Sequence, residues 1–78
     1  MDGETTTSPG LRLIPGAVRR KRLELALTQR ELAEASGLDP SAISYLERGS
    51  RRARLSSIKR LAAALGCEPL DIAQIEDD

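Results

Sequence analysis

Between Thr28 and Gly49 the chain reads TQRELAEASGLDPSAISYLERG, and the punctuation of this run leaves few ways to fold it. Thr28 is an N-capping residue with Glu31 three positions later, the pairing of a capping box, so a helix starts there. Leu32, Ala33 and Ser36 recur at helical spacing as its inward face, and Gly37 supplies the left-handed residue on which a helix ends. Asp39 is a second N-cap, with Pro40 at the first helical position, where a missing N–H costs nothing. The helix that follows closes at Gly49. On it Ala42, Ile43 and Leu46 share one side, whereas Ser41, Ser44, Tyr45 and Arg48 fall at i, i+3, i+4 and i+7 on another. The run therefore predicts two short helices joined by a tight turn, the second showing a polar ridge that no core can use.

The rest of the composition agrees with a helical bundle. Seventy-eight residues make one small domain, near the lower limit for a core without staples. Phe and Trp are absent and Tyr45 is the one aromatic, so the core must come from Leu, Ile, Val and Ala. A single cysteine excludes an internal disulfide, and Cys67 is expected to fill space as a buried thiol rather than act as a redox switch. The sequence has no apolar run long enough for a membrane span and no charged-then-apolar leader, so a cytoplasmic protein is expected. It also has no histidine, no metal-ligand cluster and no glycine-rich phosphate loop, so neither catalysis nor a metal or cofactor is expected.

A formal net charge of zero argues against a polyanionic partner until its distribution is considered. All 12 basic residues lie between Arg12 and Arg60, opposed there by Glu24, Glu31, Glu34, Asp39 and Glu47, an excess of seven for residues 11–66. Asp2 and Glu4 precede this region, and Glu68, Asp71, Glu76, Asp77 and Asp78 follow it. A basic surface is thus masked in the sum but not in space. Residues 1–10, polar and without periodicity, read as a flexible tail; residues 11–75 as the domain; residues 76–78 as an acidic, solubilising tail.

The run from Thr28 to Gly49 is similar to the helix-turn-helix of lambda repressor and Cro-like regulators, the xenobiotic-response-element type. The likeness lies in the Thr28-Gln29 opening, the central Gly37 and the closing Ile43...Leu46-Glu47-Arg48-Gly49, and it extends from about Val18 to Ile72. It implies an all-α fold, a compact bundle of four to five short helices around a central helix-turn-helix. The function it implies is sequence-specific binding of a double-stranded DNA operator, as a transcriptional regulator, most simply a repressor. Physical argument and resemblance agree in placing helix three, residues 39–48, in the major groove. Ser41, Ser44 and Tyr45 would then lie nearest the base edges, with Pro40 against a thymine methyl. Gln29 matches the glutamine that opens helix two in these regulators and would bind a phosphate beside the amides of that helix start. In the family the loop after helix three lies along the DNA backbone. Ser50, Arg51, Arg52 and Arg54, with Arg48, suit that role, because guanidinium and hydroxyl groups hydrogen-bond phosphate oxygens. The resemblance also implies an ion pair between Arg22 and Glu47, joining helices one and three.

Outside that run the sequence is less decisive. Leu11–Ile14 is either a short strand pairing with a second copy of itself or apolar padding against the bundle, with padding preferred. Pro15 opens helix one, which is expected to reach about Ala26 with Val18 and Leu25 inward. Lys21 stands where the resembled regulators commonly keep a leucine, so either its stem passes the core to reach water or the helix is rotated to use Leu23. Helix four is expected from about Ser57 to Leu65, capped by Ser56 or Ser57, with Ile58, Leu61, Ala62 and Leu65 in the core and Gly66 closing it. Pro69 is expected to start a final helix bearing Leu70, Ile72, Ala73 and Ile75, capping the bundle or meeting another subunit. A homodimer, at least on DNA, would use Leu11–Ile14, that last helix or the DNA as template. Finer roles remain open: a repressor-like or Cro-like phage switch protein, the DNA-binding antitoxin of a toxin pair, or, in contrast, a protein-interaction module on the same fold with an unknown protein partner.

Overall fold

The computed structural model describes residues 10–49 and 52–76. The tail 1–9, Ser50, Arg51, Asp77 and Asp78 lie outside the described residues. In chain order the elements are strand β1 (Leu11–Leu13), helices α1 (Ala17–Glu24), α2 (Gln29–Ser36), α3 (Pro40–Glu47) and α4 (Leu55–Leu65), a 3-10 turn (Pro69–Asp71) and strand β2 (Ala73–Ile75). No helix among the described residues is long and apolar enough to cross a membrane.

The central punctuation does what its chemistry requires. The Thr28 hydroxyl accepts from the Glu31 N–H at 3.0 Å and the Glu31 carboxylate accepts from the Thr28 N–H at 2.8 Å, so two helix-end donors are satisfied reciprocally. Gly37 ends α2 at φ +75°, and the N–H groups of Gly37 and Leu38 both return to the Ala33 carbonyl. Asp39 occupies the N-cap position of α3, but its carboxylate accepts the Ser41 hydroxyl instead of a backbone amide. α4 starts two residues before the expected Ser57, with Arg54 in the cap position and no side-chain cap, so neither Ser56 nor Ser57 serves. Leu55, half-buried, takes the first helical position, and Ala53 just before it packs against the core.

Leu32, Ile43, Ile58, Leu61 and Ile72 are the largest fully buried side chains, one or two from each of α2, α3 and α4 and one from the segment after the 3-10 turn. Leu13, Val18, Ala33, Ala62, Leu65 and Ala73 complete the core. α2 packs on both α3 and α4, and α1 lies across α3 and α4.

Both ends of the domain differ from expectation. Leu11–Leu13 packs on the bundle, with Leu13 in the core and Leu11 against it, and does so as a strand: it pairs antiparallel with Ala73–Ile75 of the same chain, with Leu11 opposite Ile75, Arg12 opposite Gln74 and Leu13 opposite Ala73. The expected last helix is a 3-10 turn followed by this strand. Two features end the helix early. The Asp71 carboxylate takes the Glu68 N–H at 2.8 Å, closing a single turn, and the Ile72 carbonyl accepts from Ile14 at 2.9 Å, outside any helix. Glu76 continues the ladder through its N–H to the Gly10 carbonyl at 2.8 Å, so it is part of the ribbon and not only of a solvated tail.

α1 ends at Glu24, short of Ala26, and Leu25 is outside it, half exposed. The inward pair is Val18 and Arg22 instead. Leu23 is exposed too, so the helix is not rotated to use it; the Lys21 stem is partly covered and its ammonium lies 4.0 Å from Glu24. The helix stops in a Schellman arrangement: Leu27 N–H bonds the Arg22 carbonyl, Ala26 N–H bonds the Leu23 carbonyl, and Ala26 adopts φ +56°.

Candidate nucleic-acid interface

α3 divides its residues between the core and solvent as its spacing predicts. Ile43 is fully buried, Ala42 and Leu46 are half-buried, and Ser41, Tyr45 and Arg48 are exposed, with Ser44 half-buried beside them. Tyr45 keeps 56% of its surface open, the largest share among the exposed large apolar or aromatic side chains. The Ser41 hydroxyl donates to the Asp39 carboxylate, leaving its oxygen to act as an acceptor. Pro40 is exposed at the start of the same helix.

What holds this ridge in place is the far end of the helix. Glu47 and Arg22 form a bidentate pair, Nε to Oε2 at 2.7 Å and Nη2 to Oε1 at 2.9 Å, with side chains only 3% and 10% exposed. The remaining face of the guanidinium donates to the Leu27 carbonyl at 2.8 Å. Burial by itself raises the Glu47 pKa; the hydrogen bonds from Arg22 and Gln29 and the positive charges of Arg22 and Arg19 outweigh it and leave the carboxyl below the usual range. Arg22 shifts the opposite way, raised chiefly by its hydrogen bond to Glu47 against the cost of burial. One buried ion pair thus ties α1, the α1–α2 turn and α3 together, as the sequence resemblance implied.

Gln29 donates from Nε2 to Glu47 Oε1 at 3.1 Å. That contact fixes its side chain at the start of α2 and leaves one amide N–H and the carbonyl for other partners. Arg48, Arg52 and Arg54 are exposed with no ion-pair partner among the described residues. Ser50 and Arg51, named with them as phosphate contacts, lie outside the described residues. Two residues not expected among the DNA contacts come to the same side. Arg12 on β1 and Glu76 after β2 pair at 2.9 Å and line a cleft with Arg52 and Arg54. Only the alternation of Leu11, Arg12 and Leu13 hinted that Arg12 would point away from the core. Cys67 is half-buried; burial first, then the Asp71 and Glu68 charges, raise its pKa despite Lys21 nearby, which suits an unreactive filler.

The sequence profile of the helix-turn-helix family matches residues 18–72. The chain is 42% identical over 62 residues to an HTH-type transcriptional regulator, itself uncharacterised, of Methanothermobacter thermautotrophicus, covering 78% of this chain and 90% of the relative. It is 33% identical over 67 residues to another from Sinorhizobium fredii, covering 86% and 87%. Among solved structures, the restriction-modification controller protein C.AhdI of Aeromonas hydrophila aligns with a TM-score of 0.67 at 42% identity, over 70% of this chain and 83% of that one. A variant of the controller protein C.Esp1396I aligns with a TM-score of 0.64 at 35% identity, over 69% and 70%.

Proposed function

The chain belongs to the helix-turn-helix family of DNA-binding transcriptional regulators, and from that premise we propose that it acts as a sequence-specific repressor whose α3 lies in the major groove of a double-stranded operator. The observation that carries this reading is the clamped ridge: a polar helix face open to solvent, on a helix whose other side is buried through Ile43 and locked through Glu47. A reading surface must keep its shape while the backbone contacts form, because a rigid support places each side chain within hydrogen-bond tolerance of its base. Ser41, Ser44 and Tyr45 are the base-facing residues, with Pro40 in apolar contact with a thymine methyl. Gln29, held by Glu47, Arg48, and the loop residues Ser50, Arg51, Arg52 and Arg54 take phosphates and fix the register. The protein is a binder and not an enzyme.

One such domain reads one half-site, so binding as a homodimer to a two-fold operator, with half-sites about 34 Å apart, accompanies this proposal. A narrower role, control of a restriction-modification locus, is favoured over the phage-repressor and antitoxin roles by the likeness to two controller proteins at 42% and 35% identity. Selection of bound sequences from random duplex DNA tests the reading: a single motif repeated with two-fold symmetry is expected, and recovery of no motif refutes sequence-specific recognition. In the same assay, Ser44→Ala with Tyr45→Ala is expected to relax base preference more than it weakens nonspecific binding. Equal loss on every sequence removes both residues from the reading face.

A further inference from the structure

Beside the α3–α4 connection, the β ribbon encloses an open cleft of about 520 Å³ whose charged lining is Arg12, Arg52, Arg54 and Glu76. Three guanidinium groups around one open volume repel one another, and the described lining offers a single carboxylate against them. That carboxylate is already engaged: Glu76 Oε1 lies 2.9 Å from Arg12 Nε, with both side chains about one-third exposed. Arg52 and Arg54, both exposed, have no ion-pair partner among the described residues. The described lining therefore retains an excess of two positive charges with planar donors arranged around the cleft, the chemistry that suits a polyoxygen anion such as a phosphodiester.

The strand register explains why this cluster exists. Arg12 stands opposite Gln74; Glu76, two residues further along, is its diagonal neighbour on the same face of the ribbon. Pairing the two ends of the chain thus sets a cation from the start and an anion from the end beside the loop that follows α3.

We propose that this cleft is a second phosphate subsite, receiving the DNA backbone just outside the groove read by α3, with Arg12 as its third guanidinium and Glu76 as the internal anion that a phosphate displaces from Arg12. The inference rests on the DNA-binding reading above and deepens it. A phosphate entering the cleft meets the Glu76 carboxylate as a like charge competing for the same donor, so Glu76 weakens binding to every sequence alike. Backbone contacts carry no base information, and the effect is one of grip and not of specificity.

The test is a set of anisotropy titrations of the full chain, across several ionic strengths, with a fluorescent mixed-sequence duplex of about two helical turns. Glu76→Gln preserves shape and the backbone bond to Gly10. It is expected to tighten binding by about three- to tenfold at low salt and to steepen the salt dependence by about one counterion. In an Arg12→Gln background the same change is expected to gain clearly less, because the Arg12 donor is gone and only the like-charge repulsion of the phosphate is relieved. An unaltered affinity for Glu76→Gln, or a gain undiminished in the Arg12→Gln background, overturns the subsite while leaving DNA binding intact. Failure of the unmodified chain to bind any duplex overturns the DNA-binding reading, and the subsite with it. Thermal melting of each variant confirms that the ribbon persists.

Discussion

Arg22 is an arginine where helical periodicity calls for an apolar residue, and its guanidinium reaches three oxygens at 2.7–2.9 Å: both of the Glu47 carboxylate and the Leu27 carbonyl. Removing one partner of such a pair leaves the other as an uncompensated buried charge, a loss of about 3–5 kcal/mol. Glu47→Ala is therefore expected to unfold a large fraction of so small a domain at 25 °C, as read by circular dichroism, and a melting point near that of the unmodified chain would show the pair to be ornamental. The pH dependence has a definite sign. Glu47 titrates lower in the folded chain than in the unfolded one, so its contribution is complete above the ordinary glutamate value of about 4.3 and disappears as pH falls through the depressed folded value. Glu47→Gln should lose the part of the acid destabilisation that falls in that window. The pair was legible because Arg22 and Glu47 occupy recognisable positions of a family pattern; the half-exposed Leu25 was not, since a stripe of apolar letters does not reveal where its helix stops.

Among the elements, the helix-turn-helix follows most closely from local chemistry. The Thr28 and Glu31 box, the Gly37 reversal and the Pro40 start each act within a few residues of themselves, and each is found where the letters put it. The turn before α2 obeys the same rule with the wrong residue: Ala26 holds a left-handed φ of +56° that glycine would hold without its Cβ penalty. Ala26→Gly is expected to stabilise the domain by about 1 kcal/mol, the steric cost per residue of that conformation, partly offset by the entropy of the unfolded glycine. Thermal melting decides it, and a lower melting point would mean that the alanine methyl packs better than its backbone suffers. The helix boundaries differ from those the letters suggest where no side chain caps the start, at Arg54, and where the Ile72 carbonyl is taken by the distant Ile14 N–H.

At the scale of the molecule, the two ends of the domain support each other. Leu13 and Ala73 face one another across the ribbon and are both buried, at 2% and 1% exposure, so β2 is part of the core and not an appendage. A chain ending at Ile72 loses that strand, the Ala73 contact and the Glu76 to Gly10 bond. A melting point lower by about 10 °C or more is expected, given about 4–8 °C per kcal/mol for a domain of this size. An unchanged melting point would show that the four helices suffice. The pairing occupies one edge of Leu11–Leu13 within the chain itself.

The letters alone were enough to establish the helix-turn-helix and its polar ridge, because caps, reversals and periodicity all act at short range along the chain. They were not enough for the ribbon, the end of α1 or the cleft beside the loop. Three-residue strands have too little length to show a period, and a strand at one end of a chain cannot announce a partner at the other. That pairing exists only once the helices between them have packed and brought Leu13 and Ala73 onto the same core.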